Sequence, residues 1–469
     1  MQHDSQGLAQ ILNSMQQQQR LNGPASAQLR KDRLQRACNL IKDNHRALAE
    51  AISNDFGHRS TYQSQVADLI TTTKMLQHAI EHVEQWMEPE QVSAPDPAMQ
   101  TRIEHQPLGV VGIISPWNFP VNLAFGPLAG IFAAGNTAML KPSELTPSTS
   151  QLMAELVAKY FGPDELCVVL GEADVARTFS ALPFDHLVFT GSTQVGRHVM
   201  RAAAENLVPV TLELGGKSPV LIGQQADLAK AVSRTLTIKT FNAGQICLSP
   251  DYVLMPASWQ QDFNDQAQEF VRQIFPAVQQ NPDYTAIIND NHFDRLIGLL
   301  DDARAKGADI VSLAPDNEPA YDRQSRKIAP HLVFNVSDDM QIMQEEIFGP
   351  LLPVKTFTDE QDAIDYINSR PRPLAAYLFS EDPERQRNFA LQTTSGGLVI
   401  NDVMTHVSID DLPFGGVGQS GMGAYHGKFG FTQFTHAKPV VVQSEAGTSN
   451  LRLRAPYADK QSAVNAFFE

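Results

Sequence analysis

Residues 106–140, QPLGVVGIISPWNFPVNLAFGPLAGIFAAGNTAML, contain no Asp, Glu, Lys, Arg or His. The run is longer than the ~20 apolar residues that a membrane-spanning helix needs, but its punctuation points elsewhere. Pro116, Pro120 and Pro127, with Gly109, Gly112, Gly126, Gly130 and Gly135, cut it into a strand at Leu108–Ile114, a helix over about Val121–Ala134 and a second strand at Thr137–Leu140. None of these pieces could cross a bilayer alone. An apolar helix between two apolar strands describes a buried βαβ unit, its parallel strands covered on both faces.

The alternation continues downstream. A helix over about Ser148–Tyr160 carries Leu152, Met153, Leu156, Val157 and Tyr160 on one face, as a core-facing helix should. A short apolar run at Leu166–Leu170 follows, then a helix at Ala173–Ser180, a strand at His186–Thr190, a helix from about Gln194 and a strand at Val208–Leu212. This succession predicts a doubly wound, mostly parallel α/β sheet of Rossmann type, with amphipathic helices from residues 26–90 over one face. After Gly216 the series restarts at Pro219–Ile222 and ends in the Gly-dense segment Pro413–Gly430, which predicts a second α/β domain. The joint falls at LELGGKSP, residues 212–219, and ligand clefts form at such joints.

The expected units are therefore a dinucleotide-binding domain over 1–215, interrupted near 92–107, a catalytic domain over 216–430, a strand region over 431–446 and a polar tail over 447–469. Met1–Gln19 is polar and Gln-rich without the basic-then-apolar order of a secretory signal, and reads as a frayed helix.

Composition narrows the function classes. A chain of 469 residues with 42% hydrophobic and 19% charged residues can bury enough apolar surface to fold as two or three units, and is not a disordered protein. Lys+Arg 36 against Asp+Glu 52 leaves a net charge of -16 with no basic cluster, which argues against nucleic acid and anionic membrane surfaces as partners. Three cysteines, Cys38, Cys167 and Cys247, are too few for a disulfide framework and suit a reducing cytoplasm. No metal site is expected.

Several residues have the chemistry of a site. The turn FTGSTQVG at 189–196 lies between a buried strand and a helix, so its free backbone N–H groups and the helix dipole face an anion, with Gly191, Ser192 and Gly196 as its candidate pyrophosphate residues. An ordinary strand-to-helix turn would look the same. KPSE at 141–144 follows an earlier parallel strand, where Lys141 and Glu144 can bond ribose hydroxyls. Cys247 sits in FNAGQICLSP (241–250), among small residues that favour access to the thiol, whereas Cys38 and Cys167 read as packing. Glu213 is carried toward the cleft ahead of Gly215 and Gly216, and Asn118, between two prolines at a strand end, is a rigid amide donor of the kind an oxyanion needs.

Taken together, PWNFP (116–120), GNTAMLKPSE (135–144), FTGSTQVGR (189–197), LELGGKSP (212–219), FNAGQICLSP (241–250), EEIFGPLLPV (345–354) and PFGGVGQSGMGAYHGKFGF (413–431) resemble the aldehyde dehydrogenase superfamily from about residue 25 to residue 445. The last motif, with NDVMTH at 401–406, resembles the class 3 branch, and the whole chain is similar to bacterial coniferyl aldehyde dehydrogenases. The resemblance implies Cys247 as nucleophile, Glu213 as general base and Asn118 as oxyanion amide. It implies nicotinamide-ribose contacts at Glu346 and Phe348, further cofactor contacts at Trp117 and Leu214, and ribose and pyrophosphate roles for Lys141, Glu144, Gly191 and Ser192.

One departure is that Val121–Ala134 lacks the lysine that many family members carry in this helix, as class 3 members do. The implied reaction is oxidation of an aldehyde through a thiohemiacetal and a thioester, with NAD preferred and NADP possible. A medium or long aliphatic aldehyde is the alternative substrate, an acylating variant would not need Glu213, and a silent homologue would not need the three residues together. Thr101–Gln106 and Pro439–Gln443 resemble the family's bridging strands, which implies a homodimer.

Overall fold

The computed structural model describes residues 5–94, 98–445, 447 and 450–469. The apolar run forms strand β1 (Val110–Ile114), helix Asn122–Ala133 and strand β2 (Thr137–Lys141), every residue of both strands buried. Strands β3 (Leu166–Val168), β4 (His186–Gly191) and β5 (Val210–Leu214) complete the parallel part of the sheet. β5 begins two residues later than the hydrophobicity predicts, beyond Pro209, because proline has no N–H for the ladder. Glu213 consequently lies within the strand, paired with Thr190.

A second sheet holds β6 (Pro219–Ile222), β7 (Tyr252–Pro256), β8 (Asp309–Ser312), β9 (His331–Phe334), β10 (Leu351–Phe357), β11 (Ala375–Phe379) and β12 (Gly397–Ile400) in the order β8-β9-β10-β7-β6-β11-β12. A short strand, β13 (Gly421–Met422), returns to the first sheet and lies antiparallel to β5, so that sheet runs β13-β5-β4-β1-β2-β3. Both sheets are mainly parallel, as an alternating βα series dictates.

Because β1, β2, β4 and β5 are parallel and adjacent, their carboxyl ends form one edge. PWNFP, KPSE, GST and GGK each follow one of these strands, so the topology brings four separated motifs to the crevice where open α/β sheets bind ligands.

Two further elements matter. Gln100–Pro107 pairs along its whole length with Thr435–Val442, and Glu90–Gln91 adds to its other side, giving a three-stranded antiparallel sheet. Thr435–Val442 is an edge of this sheet, with Val441 and Val442 exposed. The N-terminal segment corrects the frayed-helix expectation. Ser5–Asn22 is an 18-residue helix whose Leu8, Leu12 and Met15 are buried in one cluster with Val110, Met139 and Phe179. Leu8, Leu12 and Met15 stand at i, i+4 and i+7, a narrow apolar stripe that the surrounding glutamines hide from composition alone.

Candidate active site

The loop before Cys247 is built from backbone that few residues adopt. Asn242, Ala243 and Gly244 have φ of 50°, 51° and 71°, a left-handed run that persists only when its surroundings hold it. At Gly244 a Cβ would meet the Gly349 carbonyl at 2.3 Å, so only glycine fits. The loop is held by buried amides: Gln245 donates to the carbonyls of Asn242 (2.9 Å) and Ala286 (3.1 Å) and accepts from the Ile288 N–H, while the Asn242 backbone N–H donates to the Gln63 side-chain oxygen at 3.0 Å. The result is a partly exposed Cys247 side chain at the end of a rigid turn.

Asn118 reaches the same turn from the loop after β1. Its side-chain Nδ2 donates to the Gln245 carbonyl at 3.2 Å, and its own carbonyl accepts from Asn242 Nδ2 at 3.3 Å. The amide is thereby fixed against the backbone two residues before the thiol. The backbone N–H groups of Cys247 and Leu248 also face the sulfur.

These groups open on one cavity of about 360 Å³ between the two sheets. Its wall includes Trp117, Asn118, Gly191, Ser192, Glu213, Leu214, Cys247, Glu346 and Phe348, nine residues that the motifs single out. Gly196 lies beneath it, packed so closely that a Cβ would sit 2.7 Å from a Leu214 methyl. Lys141 and Glu144 stand apart at the end of β2 as an ion pair of 2.9 Å, and Lys141 also donates to the Pro142 carbonyl.

The electrostatics are those of protons held in reserve. Glu213 is 3% exposed and neither carboxylate oxygen has a hydrogen-bond partner among the described residues. Burial raises its pKa well above the carboxyl range. The Cys247 thiol is pushed up to about 12, by burial first and then by the Glu346 and Glu213 carboxylates. Glu346 is raised to about 8, again chiefly by burial, against a hydrogen bond from the Gly216 N–H. Its carboxylate occupies the space beside Gly215, where a Cβ would lie 1.9 Å from Oε2. A buried acid without partners favours its neutral form, so burial favours the protonated forms of both Cys247 and Glu213.

A model of the Aldehyde dehydrogenase family matches residues 2–440. The chain belongs to the aldehyde dehydrogenase family. It is 56% identical to a coniferyl aldehyde dehydrogenase of Pseudomonas sp. strain HR199, covering 96% of this chain and 94% of that protein. Among solved structures, a substrate-bound AldH of Staphylococcus aureus superposes with a TM-score of 0.91 at 37% identity, covering 98% of this chain and 99% of that one. Betaine aldehyde dehydrogenase of the same organism in complex with NAD+ gives 0.84 at 27% identity, over 96% and 88%. Family 3 members of Arabidopsis thaliana and Rattus norvegicus also match. The protein is thus an oxidoreductase of the NAD(P)-dependent aldehyde dehydrogenase type.

The residues of the aldehyde dehydrogenase cleft fit a dinucleotide. Ser192 caps the helix Thr193–Ala204 by accepting from the Val195 N–H at 3.3 Å, which points that helix's positive end at the cavity. Glu346 Oε1 is buried without a partner among the described residues, an acceptor of the kind a ribose hydroxyl satisfies. The motifs missed His292 and Arg295 on the helix Asp290–Ala305, both of which line the cavity. Arg295 donates to the Glu346 carbonyl at 3.4 Å and to that of Ile347. His292 packs on Trp117 with ring centroids 5.1 Å apart, and burial lowers its pKa to about 4, so it faces the cleft as neutral imidazole. In sequence the pair looks like one turn of a solvated helix, and no local signal separates it from that.

Proposed function

We propose that this aldehyde dehydrogenase oxidises an aromatic propenal, coniferyl aldehyde to ferulate, with Cys247 as nucleophile, Glu213 as base and Asn118 as oxyanion donor. The observation that carries the reading is the convergence on one cavity of Cys247, the Asn118 amide and the Glu213 carboxyl, which has no hydrogen-bond partner among the described residues. The ionised form of Glu213 takes the thiol proton and the Cys247 sulfur adds to the carbonyl carbon. The oxyanion lies between the Asn118 amide and the Cys247 N–H, each donor worth on the order of 3 kcal/mol. Bound NAD(P)+ supplies the hydride acceptor and a positively charged ring. Collapse of the thiohemiacetal leaves a thioester on Cys247; Glu213 passes the thiol proton to solvent, then takes a proton from the water that attacks the acyl carbon and returns it to the departing sulfur as the acid is released.

An aromatic substrate is supported by the 56% identical relative and by the aromatic groups beside the thiol. Tyr377 and Tyr425 lie close enough to interact with Cys247, and Phe414 stacks on His426 and meets Tyr425 edge-on and His406 at a tilt. Turnover of coniferaldehyde, benzaldehydes and short and long alkanals tests the assignment: the cinnamaldehyde type should have the highest kcat/KM, and a preference for alkanals overturns it.

Lys141, Glu144, Gly191, Ser192 and Gly196 serve the adenosine and pyrophosphate side in this reading, and Trp117, Leu214, Glu346 and Phe348 the nicotinamide side. NAD should be preferred, because the Glu144 carboxylate accepts from a 2'-hydroxyl and repels a 2'-phosphate. Its ion pair with Lys141 offsets part of that repulsion, so NADP remains usable. Glu144→Gln should raise the NADP/NAD ratio of kcat/KM; an unchanged ratio shows that Glu144 does not read the ribose.

The dinucleotide-binding unit is assigned to residues 1–215, the catalytic unit to 216–430 and the bridging strands to the regions near 92–107 and 431–446. The free edge of Thr435–Val442, with exposed Val441 and Val442, is a strand that soluble proteins cover, and a second copy covers it in a cytoplasmic homodimer. Light scattering should give a dimer at micromolar concentration. A monomer contradicts the assignment.

A further inference from the structure

We infer that Arg59 and Asp68, a fully buried ion pair in the helical region before the apolar run, are positioning residues that set the Asn118 amide for catalysis. The inference rests on the reading of Asn118 as the oxyanion donor. Neither side chain exposes any surface, and Arg59 Nη1 lies 3.3 Å from Asp68 Oδ2. Two opposite charges removed from water are weak evidence for stability, since apolar residues of similar volume usually serve as well. What they touch suggests another use.

Each makes its hydrogen bonds to the PWNFP turn and the helix start behind it. Arg59 Nη1 donates to the Asn118 carbonyl at 2.9 Å. Asp68 Oδ1 accepts from the N–H groups of Val121 (3.1 Å) and Asn122 (2.9 Å). The guanidinium carbon lies 4.8 Å from the ring centre of Phe119, the next residue of the turn, and 5.2 Å from that of Phe56. The turn is therefore gripped at its carbonyl, at one aromatic ring and at two amide hydrogens, by charges that water cannot screen.

The local backbone explains how Asp68 gets there. Between helical turns at Thr61–Gln63 and Thr71–Trp86, residues Ser64–Ile70 form a π-helix. Such a turn rotates the side chains that follow it relative to an α-helix, and π-turns recur at functional sites. Here the element with the uncommon geometry holds the carboxylate that meets Val121 and Asn122. Thr72 extends the grip by accepting from Asn122 Nδ2 at 3.0 Å.

Asn118 has its amide fixed on one side by the Gln245 carbonyl and its backbone fixed on the other by Arg59. Loss of Arg59 leaves the amide present but displaced, and a donor misplaced relative to the oxyanion loses most of its effect in the transition state.

The test is a cycle of variants assayed for kcat/KM with aldehyde, NADH binding by fluorescence and thermal melting. Arg59→Met should lower kcat/KM by about 10²-fold, the loss seen when one oxyanion donor is removed, with NADH Kd within about twofold of the parent because the cofactor side is untouched. Arg59→Lys, which keeps one donor, should recover part of the loss. In an Asn118→Ala background the same Arg59→Met change should cost less than about threefold, as expected for two residues acting through one group. Should Arg59→Met not fold, Arg59→Met with Asp68→Leu replaces the pair by apolar groups and should melt near the parent while remaining impaired. Losses that multiply fully in the Asn118→Ala background, or full activity in the apolar double variant, overturn the inference and leave the role of Asn118 standing. Full activity in Asn118→Ala alone overturns both.

Discussion

Cys247→Ala should lower aldehyde oxidation by more than about 10³-fold, the scale on which enzymes lose turnover with their nucleophile, while NADH binds as in the parent. The expectation follows from a division of labour in the cleft. Cys247 stands at the end of the left-handed loop 242–244, and the groups suited to the dinucleotide come from other elements: the Ser192 cap, Glu346 beside Gly215, and Lys141 with Glu144. Removal of one sulfur leaves these in place, and the substitution replaces a side chain that is only partly buried. Stopped-flow NADH formation and NADH fluorescence titration check the two halves separately. Turnover above a few per cent sinks the assignment of Cys247, and a parallel loss of NADH binding would mean that the loop, and not the thiol alone, had been damaged.

The same division explains what could be read from sequence. β1, β2 and β4 and the helix between β1 and β2 were legible because their apolar runs are long and interrupted by proline and glycine at turns. Asn118, Glu213 and Cys247 were legible because each sits in a short motif where backbone shape and side-chain chemistry are specified together. His292, Arg295, Arg59 and Asp68 were not. Arg59 and Asp68 lie in HRSTYQSQVAD (58–68), whose polar residues read as a solvated helix surface, yet both are fully buried. Besides each other, their side chains meet backbone groups more than fifty residues away, at Asn118, Val121 and Asn122, in a stretch that contains no charge. Hydrophobic periodicity reports which residues face a core; it carries no record of two charges buried to hold a distant backbone carbonyl. The helix Ser5–Asn22 failed for a related reason, as three apolar side chains suffice to dock it when the sheet beneath supplies the rest of the surface.

Glu213→Gln should separate the two halves of the reaction, sparing the first hydride transfer more than deacylation, with steady-state turnover falling by about 10²- to 10⁴-fold, the usual contribution of a positioned base. Glutamine keeps the size of the side chain within β5, paired with Thr190 and Gly421, so the fold and the thiol's surroundings persist. It cannot take a proton from water, and the thioester on Cys247 should accumulate. A burst of NADH approaching one equivalent per site, followed by slow turnover, is the expected trace; equal loss of both phases would mean that Glu213 chiefly activates the thiol. The pH dependence has a definite sign. Burial raises the Glu213 pKa, so the parent's deacylation rate should climb as pH passes through that raised value, and the variant should lack this limb. Stability moves the other way. A carboxyl whose folded pKa lies above its unfolded value contributes stability that is fully present below the unfolded pKa and is lost as pH rises through the folded one. Ligand-free Glu213→Gln should therefore melt above the parent at alkaline pH, with a gap that closes toward acid. A gap independent of pH would show that the Glu213 carboxyl is not held neutral by its burial.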